Sequence, residues 1–322
     1  MICEVNKISE LLFGIQAVTR KKYGCIDEDY DFIEIPKISY FDDLYNLLKD
    51  EDLDELKYFF DDVLEDQADT SNLVIAIDDE YNLKYIPKLK IYGNFDITYY
   101  VDLIRNLAVK VNWNEFYDSH KDFYNRFLSN VYRFPDNLNL DRFKKFMGQK
   151  FNNYYYFPSV LFNGGFGPSN NDGCFYFKGF KNYDEKKFLY DYDYLLETLF
   201  HEYSHPVVNP IVDKYIDLIN NKDELLKYSL DNNLVPIYNN INTLLFEYMV
   251  RTFAYIFTLD FYPNYELDDY IIDYGFILLP MLVEKVSSSI DKYDDFESIY
   301  VNEIIPFING LNLDNENRHV LC

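Results

Sequence analysis

His201 and His205 are two of the chain's four histidines, four residues apart, and Glu202 directly follows the first. On an α-helix each residue turns about 100°, so positions four apart lie about 40° apart around the axis and one turn along it. Both imidazoles then face one point. Two neutral imidazoles so placed can bind a Zn2+ at roughly 2.0–2.1 Å each, and the adjoining glutamate can reach a water in a remaining position without being a ligand. Such a metal would make that water acidic and polarise a carbonyl, while Glu202 would take the proton and hand it to a leaving amine.

Leu195, Leu196, Leu199 and Phe200 lead into the motif, so it emerges from an apolar stretch and not from a charged surface. Buried imidazoles without partners are costly, and a metal ion would satisfy them. The plainer alternative is two histidines that share a helix face without a metal. Pro206 follows His205, lacks the N–H that would bond back to residue 202, and disfavours helical geometry in the residue before it. The helix is therefore expected to end or kink at Pro206, with Asn209 and Pro210 continuing as a turn.

A catalytic zinc usually has three protein ligands and one open position. His120 lies far upstream and His319 near the carboxyl end, so a carboxylate is the better candidate. In "PIYNNINTLLFEYMVRTFAYIFTL", residues 236–259, the apolar positions Ile237, Ile241, Leu244, Leu245, Phe253, Ala254 and Phe257 define a long buried helix with one acid in its middle, Glu247. An acid so placed needs a partner, either a metal or Arg251 four residues on. Asp213, Asp217 and Asp223, in a more polar stretch, are alternatives.

The whole chain has 322 residues, 48% hydrophobic and 19% aromatic, with 11 glycines and 11 prolines, which describes a globular protein with ample core. Its net charge of −25 sets a field against phosphate backbones and anionic lipid, so neither nucleic acid nor a membrane surface is an expected partner. The start lacks the pattern of a signal peptide, and no apolar run reaches the roughly 18 residues of a membrane span. Four scattered cysteines, Cys3, Cys25, Cys174 and Cys322, fit reduced thiols and a cytoplasmic location.

Helical periodicity marks Phe41 to Asp66 and Tyr99 to Asn130, and "NLVIAIDDEYNLKYIPKLKIYG" between them reads as a short strand pair. Ser159 to Asn163 and Cys174 to Lys178 read as strands joined by an irregular loop holding Gly164, Gly165, Gly167 and Gly173. Helices resume from about Tyr192 through the motif, from Pro236 to Leu259, and twice more between Asp268 and Gly310. The expected class is α+β, predominantly helical, with a small sheet. Residues 1–112 read as a mostly helical N-terminal region and 113–322 as the domain that carries the motif.

The HExxH helix followed by a second helix with a glutamate resembles the gluzincin type of zinc metallopeptidase. More closely, "FYDSHKDFYN", "VLFNGGFG", "HEYSHPVVNP", "FEYMVRTFAYI" and "YGFILLPMLVEKV" resemble a bacterial family of uncharacterised zincin-like proteins, over most of the chain from about Trp113. In that pattern the residue after the second histidine is more often small and polar, so Pro206 is a departure. The resemblance implies a zincin-like core with an active-site helix, His201, His205 and Glu247 as zinc ligands, Glu202 as general base, and a peptide or protein substrate. Arg251 and Asn209 are the expected outer partners of the ligands. In peptidases of this type an edge strand near the zinc binds the substrate backbone by strand addition. Phe157 to Gly167 is the candidate, with Asn163, Gly165 and Gly167 at the substrate. For the oxyanion, Tyr203, Tyr238, Tyr248, Tyr255, Tyr274, Tyr293 and Arg251 are all chemically able. Two other outcomes stay open: a non-catalytic zincin-like binding or regulatory protein, and a helical interaction protein whose motif is accidental.

Overall fold

The computed structural model describes residues 1–24, 33–64, 67–90, 95–131, 134, 138–148, 150–180, 192–232, 234–267 and 275–313. Two compact units emerge, one of Met1–Arg133 with Asn153–Tyr190, the other of Phe134–Asn152 with Asp191–Cys322.

The first unit is organised on helix α1 (Lys7–Tyr23), buried continuously from Ile8 to Thr19. Asn6 starts it by accepting from the amides of Ile8 and Ser9 at 3.0 and 2.9 Å, and Gly24, at φ 71°, ends it in the left-handed conformation that glycine adopts without strain. The single helix expected over Phe41 to Asp66 is instead α2 (Ser39–Leu48), α3 (Asp54–Tyr58) and a π-helical turn, Phe59–Val63. The break falls where Asp52 accepts from the amide of Asp54 at 3.3 Å, a local bond that competes with the helix ladder.

The strand pair expected in "NLVIAIDDEYNLKYIPKLKIYG" is also corrected. Its first residues belong to α4 (Gln67–Ala76), and a single antiparallel bridge, Ile77 to Leu83, follows; residues 91–93 lie outside the described set. Leu73, Val74, Ile75 and Ala76 are all buried, a continuous burial that suits a core helix and overrides the β-propensity of Val and Ile. The next helical stretch divides into α5 (Ile97–Lys110), α6 (Trp113–Ser119) and α7 (Lys121–Val131), with Asn112 at φ 51° making the first corner.

One four-stranded sheet completes this unit, in the order β1 (Ile2–Cys3), β2 (Tyr154–Ser159), β4 (Cys174–Gly179), β3 (Gly165–Phe166). β1 and β4 both run parallel to β2, whereas β3 is antiparallel to β4. The first expected strand thus ends at Ser159 instead of beginning there. Residues 160–173 are long enough to carry the chain back for a parallel pairing. Both faces of β2 and β4 are covered, so their sequences read as aromatic runs without alternation. Gly179 is obligatory at the end of β4, since a Cβ there would fall 1.8 Å from the Phe162 carbonyl oxygen.

The second unit holds α8 (Asp141–Phe146), α9 (Tyr192–Tyr215), α10 (Lys222–Asp231), α11 (Ile241–Leu259) and α12 (Leu279–Ser287), followed by short helical turns between Phe296 and Asn309. Of the helices expected between Asp268 and Gly310, residues 268–274 lie outside the described set. α9 and α11 make the most extensive pairing of any two elements. Aromatic rings from α8 fix the pair: Phe143 lies 5.2 Å from Phe200 of α9 and 5.2 Å from Phe257 of α11, and Phe146 lies 5.3 Å from Phe253. The described residues are thus predominantly helical with one small mixed sheet, an α+β composition. None of their helices is long and apolar enough to cross a membrane. Cys3 and Cys174 are free thiols.

Candidate metal centre

α9 presents the motif from a buried stripe. Leu195, Leu196, Leu199, Phe200 and Tyr203 are fully or almost fully enclosed, which turns His201 and His205 together toward α11. The helix does not stop at Pro206, as its sequence leads one to expect; it runs through Pro206 and Pro210 to Tyr215, so Asn209 and Pro210 are helical and not a turn. Pro206 cannot donate to the carbonyl of Glu202, and Pro210 cannot donate to the carbonyl of Pro206. Lys150 serves the latter, its ammonium donating to the Pro206 oxygen at 2.7 Å. His201 and His205 both lie within this continuous helix.

α11 brings the third group. Asn240 caps its start by accepting from the amides of Asn242 and Thr243, and Glu247 follows two turns into the helix. The Nε2 atoms of His201 and His205 are 3.1 Å apart, and they lie 3.7 and 3.6 Å from the two carboxylate oxygens of Glu247. Ligand atoms of these three residues all fall within 4.8 Å of one another, a group that can hold a metal ion.

Four further observations bear on whether a metal fits. Two ligands about 2.05 Å from one ion at a tetrahedral angle stand about 3.3 Å apart, close to the observed separations. The Nδ1 of His205 is 3.2 Å from the Asn209 carbonyl oxygen, which can only accept. In the neutral ring the proton is therefore on Nδ1 and the lone pair on Nε2, aimed at His201 and Glu247. Burial, with His205 and Arg251 alongside, holds the His201 imidazole well below its ordinary pKa, in the neutral form that ligates. Two imidazoles and a carboxylate that converge this closely form a donor set that can hold a cation. Glu247 Oε2 is buried and makes no hydrogen bond among the described residues.

Arg251 stands behind Glu247. Its Nη2 lies 3.1 Å from Glu247 Oε2, an ion pair without hydrogen-bond alignment, and donates to the Tyr238 hydroxyl at 3.4 Å. The guanidinium lies over the ring of Phe276, 4.7 Å from its centroid. One carboxylate thus faces both sets of groups considered for Glu247, with each oxygen toward a different imidazole and one also toward the arginine.

The remaining candidates distribute as follows. Glu202 is half-buried on α9 between the histidines. Asp213 accepts from Asn242, Asp217 pairs with Lys222, Asp223 opens α10, and none belongs to the ligand group. His120 faces Asp43 in the first unit, and His319 and Tyr274 lie outside the described residues. Tyr238 and Arg251 stand beside the ligands, whereas the hydroxyls of Tyr255 and Tyr293 are engaged by the Tyr265 carbonyl and Glu303. Asn163, Gly165 and Gly167 lie in the first unit, in and beside β3, with Asn163 donating to Glu34 at 2.7 Å. Phe276 and Lys150 were not anticipated. Phe276 falls in the quoted "YGFILLPMLVEKV", but nothing in sequence spacing links it to Arg251. No family model matches the chain, and no curated protein or solved structure matches it.

Proposed function

We propose that the chain is a zinc-dependent hydrolase, a metallopeptidase that cleaves peptide bonds, with a zincin-like catalytic core around α9 and α11. The observation that carries this reading is the convergence of His201, His205 and Glu247 with the His205 lone pair fixed by Asn209. Two imidazole nitrogens and one carboxylate oxygen are the donor set of hydrolytic zinc, leaving one position for water or substrate.

His201, His205 and Glu247 would hold the metal, which supplies Lewis acidity toward water and a substrate carbonyl. Glu202 accepts the proton of the attacking water and delivers it to the leaving amine. Of the groups able to stabilise a developing negative charge, Arg251 pairs with the ligand candidate Glu247 and donates to Tyr238. The same proposal takes a peptide or protein as substrate and the cytoplasm as the place of action.

The test begins with zinc measured by elemental analysis in protein purified without added metal. About one zinc per chain, lost in His205→Ala and in Glu247→Ala, supports the site. Glu202→Gln should keep the zinc and abolish cleavage of a peptide library. A Glu202→Gln protein as active as wild type refutes the assigned base. Zinc without cleavage would point to the non-catalytic binding or regulatory role.

A further inference from the structure

We propose that Arg251 is a positioning residue for the metal ligand Glu247, and that Phe276 and Tyr238 set its action by clamping the guanidinium. The inference rests on the metal reading above and goes beyond it, because it assigns control of the ligand to residues on two other segments.

Glu247 and Arg251 lie four apart on α11, both more than nine-tenths buried. A buried carboxylate keeps its orientation only if a partner fixes it, and a long arginine side chain can do so only if it is itself fixed. Here it is. The guanidinium lies on the face of Phe276 at 4.7 Å and donates to Tyr238 at 3.4 Å. Phe276 is in turn wholly buried, edge-on to Tyr248 at 5.1 Å and 5.2 Å from Tyr238. Three segments, the turn Pro236–Tyr238, α11 and the stretch after Gly275, therefore converge on one cation. That cation lies 3.1 Å from Oε2 of Glu247, so the carboxylate is presented with its oxygens toward the two imidazoles. An arginine that only balanced charge would need neither a ring face nor a hydroxyl. The clamp makes it a fixed strut, of the kind that outer partners form behind metal ligands.

The test is a double-mutant cycle on zinc affinity, read by competition with a chelator on the full chain, with Co2+ absorption reporting ligand geometry. Arg251→Met should weaken zinc binding by about 10–100-fold and alter the Co2+ spectrum. In a Glu247→Ala background, which loses its zinc on purification but whose two imidazoles still bind added zinc weakly in the titration, Arg251→Met should cost nothing further, because the arginine acts through the carboxylate. Arg251→Lys, which keeps the charge and loses the fork and the stacking, should recover only part of the affinity. Equal losses in both backgrounds would overturn the proposal, since the arginine would then act through the fold at large; so would zinc binding indifferent to Arg251. If Arg251→Met does not fold, Phe276→Leu carries the same cycle, with a several-fold loss expected only when Glu247 is present. Wild-type chain that binds no zinc sinks the metal reading and this inference together, whereas zinc binding that ignores Arg251 sinks the inference alone.

Discussion

Lys150 donates to the carbonyl oxygen of Pro206 at 2.7 Å, the one oxygen in α9 that Pro210 leaves without a helical donor. A side chain from outside the helix thus fills the gap one residue past a metal-ligand candidate. Lys150 is exposed, so the bond is worth about 0.5–1 kcal/mol. Lys150→Met should lower stability toward urea by that amount. In Pro210→Ala, where an amide N–H returns to serve the same carbonyl, Lys150→Met should cost nothing; a full cost there would show that the contact is incidental.

Asn209 acts on His205 through the tautomer. Asn209→Ala removes the acceptor at Nδ1, and zinc affinity should fall about 10-fold, the lower end for a lost outer partner of a ligating histidine. Asn209→Asp, which keeps an acceptor oxygen, should retain the affinity. Competition titration of both variants decides the matter, and an unchanged affinity in Asn209→Ala would remove Asn209 from the site.

Glu10 gives the first unit a pH dependence of unusual sign. It is wholly buried on α1, accepts from Tyr40 at 2.6 Å, and burial pushes its carboxyl up to about 7 from the usual 4.5. The folded chain therefore binds this proton more tightly than the unfolded one. Its contribution is fully favourable below the unfolded value near 4.5 and is lost as pH rises toward 7, on the order of 3 kcal/mol in all. Glu10→Gln should flatten urea stability between pH 5 and 8 and gain most at pH 8. A variant that tracks wild type at both pH values would refute the assignment.

Gly179→Ala tests the sheet. The new Cβ would collide with the Phe162 carbonyl, which the amide of Phe180 holds at 2.7 Å, so backbone must move. The cost should reach the upper end of the about 1–3 kcal/mol of overpacking, measurable by thermal unfolding. Gly165→Ala, whose Cβ would meet only the Tyr176 ring at 3.5 Å, should be tolerated far better.

The convergent triad of candidate ligands was legible because each member carried a local signal. The histidines had spacing and an apolar approach, and Glu247 was the one acid in the middle of an otherwise apolar helix. Pro206 misled because the rule for proline describes what a helix loses locally, while α9 continues to Tyr215 in a helix packed extensively on α11, which is distant in sequence. Asn72 to Ala76 misled for a related reason: β-branched residues tell of burial as readily as of strands, and only packing against α1 decided for helix. The parallel pairing of β2 with β4 depends on where residues 160–173 travel, which no turn signal states. Phe276 reaches Arg251 through tertiary structure alone.

The interleaving of the two units has a consequence for how the chain can be divided. The backbone passes from one to the other at 133/134, 152/153 and 190/191, so no single cut separates them. β1, at residues 2 and 3, pairs with Tyr155 and Tyr156, and the sheet is completed only when the segment through Gly179 is available. During synthesis from the amino terminus, β1 must therefore wait for a strand more than a hundred residues behind it, a long-range closure of the kind that slows folding. A fragment begun at Trp113 would carry all three candidate ligands and lack the helix on which the first unit is organised.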